Sequence, residues 1–125
     1  MSDMMLRFSI DGYPVIMAEQ NTLLQTLLRF LDENHALDIT TIDVREQTTV
    51  TDYMIVCSGR SSRQVRAIAE HIMTDMKATG HPSLGSNGLD SGDWVLVDFG
   101  DFVVHIMQPD ARAFYNIEGL WQDRK

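Results

Sequence analysis

The clearest periodic pattern in the chain is a helical stripe in its middle. Apolar residues recur there at three- and four-residue spacing: Val65, Ile68, Ala69, Ile72, Met73 and Met76. This spacing is that of one helix face. Ser61 or Ser62 precedes the stripe as a cap, and Gly80 with Pro82 follows it as a terminator. The pattern predicts a long amphipathic helix.

A second stripe lies nearer the N-terminus. Its members are Leu23, Leu24, Leu27, Leu28 and Leu31. They predict an amphipathic helix capped by Asn21 and ending near Asn34 or His35. Before it, Asp11 and Gly12 separate two short apolar segments in residues 4–17, which predicts a hairpin whose second strand is weakened by Pro14. Alternatively, Met17 is the natural start and the residues before it are an upstream extension.

The remaining pattern is dominated by strands. Residues 38–44 and 52–58 predict two strands, the second one buried. The Gly- and Ser-rich segment 82–92 predicts a connection with a short strand around Leu84, and residues 93–107 predict two more strands. Pro109 begins a last helix that runs through Phe114 and Ile117 towards Trp121. The order of elements, with a helical crossover, predicts a single α/β domain with a mixed β-sheet flanked by helices.

The stretch "DWVLVDFGDFVVHIM", residues 93–107, combines strand formers with three carboxylates and a histidine. A two-residue turn at Gly100 and Asp101 fixes the register of a hairpin. One face is then entirely apolar and predicted to be core: Val95, Val97, Phe99, Phe102, Val104 and Ile106. The opposite face pairs Trp94 with Met107, Leu96 with His105, and Asp98 with Val103.

That opposite face leaves three interpretations open: a docking surface, a face covered by a helix, or a catalytic site. Asp98 and His105 are diagonal neighbours, so a hydrogen bond between them would favour the protonated imidazole. Trp94 beside Leu96 and a few polar groups resembles a binding hot spot with an acidic rim.

Charge favours a basic partner for this region. The chain has 125 residues and a net charge of -8, and no Lys or Arg occurs between Lys77 and Arg112. That interval contains Asp90, Asp93, Asp98, Asp101 and Asp110. Such a surface repels phosphate backbones, so sequence-specific nucleic-acid binding there is not expected, whereas a basic protein would be attracted.

Composition narrows the remaining classes. Cys57 is the only cysteine, so this sequence excludes an intrachain disulfide and a zinc site built from several cysteines. Cys57 is predicted to be a buried structural residue. Apolar runs are too short to span a bilayer, so we expect no membrane insertion and a cytoplasmic location.

Evidence for catalysis is weak. The "SGRSS" loop at 58–62 leads into a helix. Its backbone amides could bind an anion, with Arg60 and Arg63 nearby. However, Asp98 and Asp101 are separated by a turn, so they do not form an alternating pair of metal ligands, and the histidines lack metal-pair spacing. We therefore assign no catalytic residue, no metal and no cofactor, and keep a nucleotide-binding or nucleotidyl-transfer enzyme as the alternative.

Three segments resemble the ribosomal silencing factor family, also called the RsfS or Iojap family. They are "DITTIDVREQTTVTDYMIVCSGRSSRQVRAIAEHI", "GDWVLVDFGDFVVHIM" and "FYNIEGLW". The similarity runs from about Leu23 to Trp121, which divides the chain into an extension at 1–20 and a silencing factor domain at 21–125. The resemblance implies a nucleotidyltransferase-like core without catalytic carboxylates, and no enzymatic activity.

The resemblance also implies a translational repressor that acts when nutrients are scarce. It would bind the large ribosomal subunit through the basic ribosomal protein numbered fourteen and sterically block joining of the small subunit. By position, the contact surface would comprise Trp94, Leu96, Asp98, Asp101, Val103, His105 and Met107. A role in assembly of the large subunit and a homodimer that hides the same face remain open.

Overall fold

The computed structural model describes residues 15–122, with side chains from 21 to 121. Its elements in chain order are α1 (Val15–Glu33), β1 (Leu37–Asp43), β2 (Tyr53–Ser58), α2 (Ser62–Ala78), β3 (Gly85–Asn87), β4 (Trp94–Asp98), β5 (Phe102–Met107), α3 (Pro109–Tyr115) and α4 (Ile117–Gln122). No helix in this part of the chain is both long and apolar enough to cross a membrane.

The five strands form one sheet in the order β1-β2-β5-β4-β3. β2 and β5 are parallel, whereas β1 with β2, β5 with β4, and β4 with β3 are antiparallel. The parallel pair follows from connectivity, because α2 and the β3–β4 segment carry the chain back before β5 begins. The predicted single α/β domain with a mixed sheet is confirmed.

Two apolar clusters lie on opposite faces of this sheet. On one face, α1 and α2 bury their stripes against residues including Ile55, Val95 and Val104. On the other, a smaller cluster joins Met54 and Met107 to Ile117 at the start of α4. The helices therefore cover the first face broadly and the second face only in part.

The β4–β5 hairpin has the predicted register. Trp94 pairs with Met107, Leu96 with His105, and Asp98 with Val103. Gly100 has a φ of 85°, the left-handed region that glycine enters at low cost, and the amide of Phe99 donates to the carbonyl of Phe102 at 2.8 Å.

The inward face of the hairpin is core, as predicted. Its most buried members have relative exposures of 1% or less: Val95, Val97, Phe102, Val104 and Ile106.

Two predictions about helices are wrong. α1 begins at Val15, so residues 15–17 are helical instead of forming the second strand of a hairpin, and Asn21 lies inside the helix instead of capping it. The rest of the predicted hairpin, residues 4–14, lies outside the described part of the chain. The single last helix is interrupted at Asn116, whose φ of 45° and ψ of 49° end α3 before α4 begins.

The other helix predictions hold. Ser61 caps α2 with its hydroxyl, which accepts a hydrogen bond from the amide of Gln64 at 3.1 Å. Leu24, Leu27 and Leu31 of α1 are buried, as their stripe required.

Gly88 gives the first testable prediction, because its lack of a side chain allows the loop backbone to pack closely against β4. Its φ is 90°, and a Cβ there would lie 2.0 Å from the carbonyl oxygen of Trp94. Gly88→Ala should lower the free energy of unfolding by about 3 kcal/mol through positive φ plus a backbone clash.

Gly80 provides the matched control, because its φ is 88° but no atom lies within 4 Å of the added Cβ. Gly80→Ala should cost only about 1 kcal/mol. Urea unfolding followed by circular dichroism measures both, and equal losses would contradict the role assigned to the clash.

Candidate functional site

The predicted contact residues fall into an exposed half and a covered half. We call the side of β4 and β5 that faces away from α1 and α2 the outer face. Met107 is fully buried there by the cluster around Ile117, and His105 is only 9% exposed. Neither side chain is exposed in the free domain, and the role of both as contact residues stays a prediction.

The exposed half of the outer face lies towards the hairpin turn. Leu96, Asp98 and Val103 are each half-buried, and Asp101 in the turn is exposed. Cross-strand pairing places Asp98 directly beside Val103 and two residues along β4 from Leu96. Apolar and acidic groups therefore share one open patch.

Trp94 joins this patch to the C-terminal helices. Its indole Nε1 donates to His105 Nδ1 at 2.9 Å, and its ring lies 4.9 Å from the ring of Tyr115. Tyr115 in turn meets Phe114 edge-on at 5.0 Å. We call Trp94, Tyr115 and Phe114 the aromatic ladder, because their rings extend the outer face without interruption onto α3.

His105 is a neutral buried acceptor. Burial lowers its pKa to about 4, and its Nδ1 must be unprotonated to accept from the indole N–H of Trp94. Asp98 instead accepts a hydrogen bond from the amide of Gly100 at 2.8 Å. The predicted Asp98–His105 hydrogen bond with a protonated imidazole is therefore wrong.

Sequence reasoning missed the exposed residues of α3 and α4. Phe114 is 81% exposed, Leu120 62% and Tyr115 52%. One signal was present: Phe114 and Tyr115 are adjacent, and adjacent helix positions point about 100° apart, so both cannot face the core. Their exposure adds an apolar surface next to the predicted patch.

Arg112 holds the C-terminal helices on the sheet, and no sequence pattern indicated this role. Its guanidinium donates to Glu118 at 2.7 and 3.0 Å, to the hydroxyl of Ser58 at 3.0 Å and to that of Thr40 at 3.3 Å. The ion pair raises the pKa of Arg112 and lowers that of Glu118 through their hydrogen bonds. One side chain therefore connects α3, α4, β1 and β2.

Cys57 lies beside this network but is closed to solvent. Burial raises the pKa of its thiol to about 12, with nearby Arg112 acting weakly in the opposite direction. At neutral pH the sulfur is therefore an inert thiol, which agrees with its prediction as a structural residue.

Two backbone amides of the Gly-Ser loop are already used for hydrogen bonds within the domain. The Gln64 side-chain oxygen accepts from the amide of Arg60 at 2.6 Å, and the amide of Gly59 donates to the carbonyl of Met107 at 3.1 Å. A Cβ on Gly59 would come within 2.9 Å of Val65, so this glycine allows close packing of α2 against the sheet. Among residues 15–122, no three His, Cys, Asp or Glu side chains are grouped to hold a metal ion.

Comparison with known proteins identifies the family. A family model described as ribosomal silencing factor during starvation matches residues 17–125. The chain belongs to the ribosomal silencing factor family. It is 44% identical over 99 residues to ribosomal silencing factor RsfS of Haemophilus influenzae, covering 79% of this chain and 97% of that protein.

Two further relatives of this ribosomal silencing factor family member extend the comparison. A crystal structure of a Chromobacterium violaceum protein matches with a TM-score of 0.80 and 39% identity, over 84% of this chain and 88% of that one. A mouse protein named mitochondrial assembly of ribosomal large subunit protein 1 is 35% identical over 98 residues, which are 76% of this chain and 43% of the mouse protein. The Haemophilus protein is named for silencing and the mouse protein for assembly.

The buried His105 predicts a pH dependence of stability for this silencing factor family member. Its folded pKa of about 4 lies below the ordinary value of 6.5, so the unfolded chain binds the proton more tightly. The contribution of neutral His105 to the free energy of unfolding is complete above pH 6.5. It is lost as the pH falls towards 4, and the loss amounts to about 3 kcal/mol at most.

The measurement is the difference in free energy of unfolding between wild type and His105→Gln, taken from pH 7 to pH 4. Glutamine keeps an acceptor for the Trp94 indole but does not titrate, so the difference should shrink on acidification. His71→Gln is the control, since His71 is exposed. A pH-independent difference for His105→Gln would contradict the neutral buried state.

Arg112→Met should destabilise the fold by about 3 kcal/mol, because it leaves the poorly exposed Glu118 carboxylate without its partner. Arg45→Met removes the exposed Arg45–Asp43 pair instead and should cost less than about 1 kcal/mol. Chemical denaturation of both variants checks this contrast, and comparable costs would refute the assigned role of Arg112.

Proposed function

We propose that this protein is a translational repressor that binds the large ribosomal subunit through its basic protein numbered fourteen and sterically blocks joining of the small subunit. The carrying observation is the continuous outer face, in which the aromatic ladder and the half-buried Leu96 and Val103 lie beside Asp98 and Asp101. Membership of the ribosomal silencing factor family supports a ribosomal partner, and a cytoplasmic location follows from that partner.

Affinity in this proposal comes from the apolar part of the face. Phe114 is 81% exposed while its ring rests against Tyr115, so its burial by a partner gains apolar contact with little loss of side-chain freedom. Aromatic anchors of this kind dominate the energy of many interfaces. The ladder is therefore the expected centre of the contact.

Orientation comes from the carboxylates. Asp98 and Asp101 lie in the open patch, and the chain between Lys77 and Arg112 has no Lys or Arg, so the patch attracts a basic protein and repels an acidic one. Asp98 is fixed by its hydrogen bond from Gly100, which directs its charge towards one part of the partner. Screening by salt should weaken this contribution.

Blocking requires volume and no chemistry. α2 alone, with 17 residues, is about 25 Å long, and it lies across the sheet from the outer face. A domain docked by its outer face would therefore extend outward from the large subunit on the side of α1 and α2. Such a rigid body hinders a second subunit from approaching the same surface.

A second candidate function is assistance in assembly of the large subunit, favoured by the name of the mouse relative. The same face serves both functions, because each begins with docking on that subunit. A homodimer that covers the outer face would compete with docking, so sedimentation equilibrium of the free protein should accompany the binding tests. The enzyme alternative is disfavoured by the hydrogen-bonded amides of the Gly-Ser loop.

Two substitutions test the outer face. Leu96→Lys places a positive charge in the apolar part of the patch, and Phe114→Ala removes an exposed ring. Each should weaken binding to purified large subunits about tenfold or more, because both act on the predicted anchor region. Co-sedimentation measures binding, and a subunit-joining assay with the protein added first measures function.

Ala78→Lys is the control for an added surface charge, since Ala78 is exposed at the end of α2, across the sheet from the outer face. It should bind and block joining like wild type. Circular dichroism verifies that all three variants are folded. Unchanged binding by both folded test variants would exclude the outer face as the contact.

A further inference from the structure

A basic segment interrupts this acidic chain. Residues 53–69 contain three arginines and no Asp or Glu, although the whole chain has a net charge of -8. The arginines are Arg60, in the loop before α2, and Arg63 and Arg66, in the first turns of α2. The outer-face contact does not use them.

These arginines differ from the other described ones in their partners. Arg29, Arg45 and Arg112 each form an ion pair with a carboxylate. Arg60 and Arg63 are exposed and form no ion pair within the described region. Two positive charges are therefore left uncompensated at neighbouring positions. A solvated surface of this kind attracts anions from a distance.

Arg66 completes the set from a fixed position. It is half-buried, and its Nη1 donates to the carbonyl of Ser91 at 3.4 Å in the loop before β4. Arg63 and Arg66 are three residues apart in α2 and so share one face of the helix. Glu70, the nearest carboxylate to Arg66 in sequence, and Asp90, which precedes Ser91, are exposed and form no ion pair with Arg66.

The arginines lie at the same end of the domain as the aromatic ladder. Ser58, the last residue of β2, pairs with Met107, and Met107 pairs with Trp94. Arg60 follows Ser58 by two residues, so it emerges at the end of the sheet where Trp94 also lies. α2 itself lies on the other face of the sheet, so a large partner that contacts the ladder would reach these arginines by curving around this end of the sheet.

The chemistry of the set is that of phosphate contacts through side chains. The amides of Arg60 and Gln64 are already bonded within the domain, so they are not free to hold a phosphate. Arginine side chains on an exposed helix face instead match a row of phosphates along a nucleic-acid strand. Contacts to phosphates carry no sequence information directly, so this contact would be independent of RNA sequence.

We infer that Arg60, Arg63 and Arg66 form a second docking contact, for the phosphate backbone of RNA in the large ribosomal subunit. This inference rests on the proposed function, because the outer face must bring the arginines to the subunit. Contacts of opposite charge, acidic for the basic protein and basic for the RNA, then fix the orientation of the domain better than either contact alone.

The salt dependence of binding tests this inference. Releasing counterions from RNA makes the logarithm of the binding constant fall linearly with the logarithm of salt concentration, by nearly one unit of slope per phosphate neutralised. Arg60→Gln/Arg63→Gln should therefore reduce the slope for large subunits by roughly one to two. Affinity at low salt should fall several-fold, while binding to the isolated protein fourteen stays unchanged.

Arg29→Gln is the matched control, because Arg29 is also exposed but is paired with Glu33 at 3.3 Å. It should leave the slope for large subunits unchanged. A slope for Arg60→Gln/Arg63→Gln equal to that of wild type would overturn the inference. So would an equal loss of affinity for the isolated protein. If only Leu96→Lys loses binding and the salt slope of Arg60→Gln/Arg63→Gln equals that of wild type, the proposed function is supported and the RNA contact is rejected.

A proximity experiment gives an independent answer. Glu70 is exposed and lies one turn after Arg66, and the buried Cys57 leaves an introduced thiol as the reactive one. An iron chelate attached to Glu70→Cys should cleave ribosomal RNA on bound large subunits by locally generated hydroxyl radicals. Binding without any RNA cleavage would overturn the inference.

Discussion

The parallel pairing of β2 with β5 is the constraint on which the rest of the structure depends. Six residues of each strand are in register, and most of β2 is buried on both faces. Because a parallel pair needs a crossover, α2 must cover one face, and burial of the other face then requires α3 and α4. The exposed half of the outer face is the part of the sheet that these helices leave uncovered.

Predictability from the sequence followed the range of the interactions. The hairpin register was predictable, because a two-residue turn at Gly100 and Asp101 determines every pair between Trp94 and Met107. The stripe of α2 and its Ser61 cap were predictable for the same reason, since both depend on neighbours along the chain. Local rules were sufficient for these elements.

Other features depend on contacts that are distant in sequence. Burial of Met107 requires Ile117 to fold back, and the state of His105 depends on Trp94 across the hairpin. Arg112 reaches Ser58 across 54 residues and Thr40 across 72, which no periodicity reveals. The hairpin register of the candidate contact residues could therefore be predicted from the sequence, whereas the burial of His105 and Met107 could not.

The break at Asn116 has a consequence for how the aromatic surface can exist at all. α3 has seven residues and α4 has six, and helices of this length do not persist alone in water. The positions of Phe114 and Tyr115 are thus a property of the whole domain, imposed by the sheet through Arg112. A peptide with this sequence would carry the same side chains but would have to order them at the moment of contact. In the folded domain, the sheet orders α3 and α4 before any partner binds.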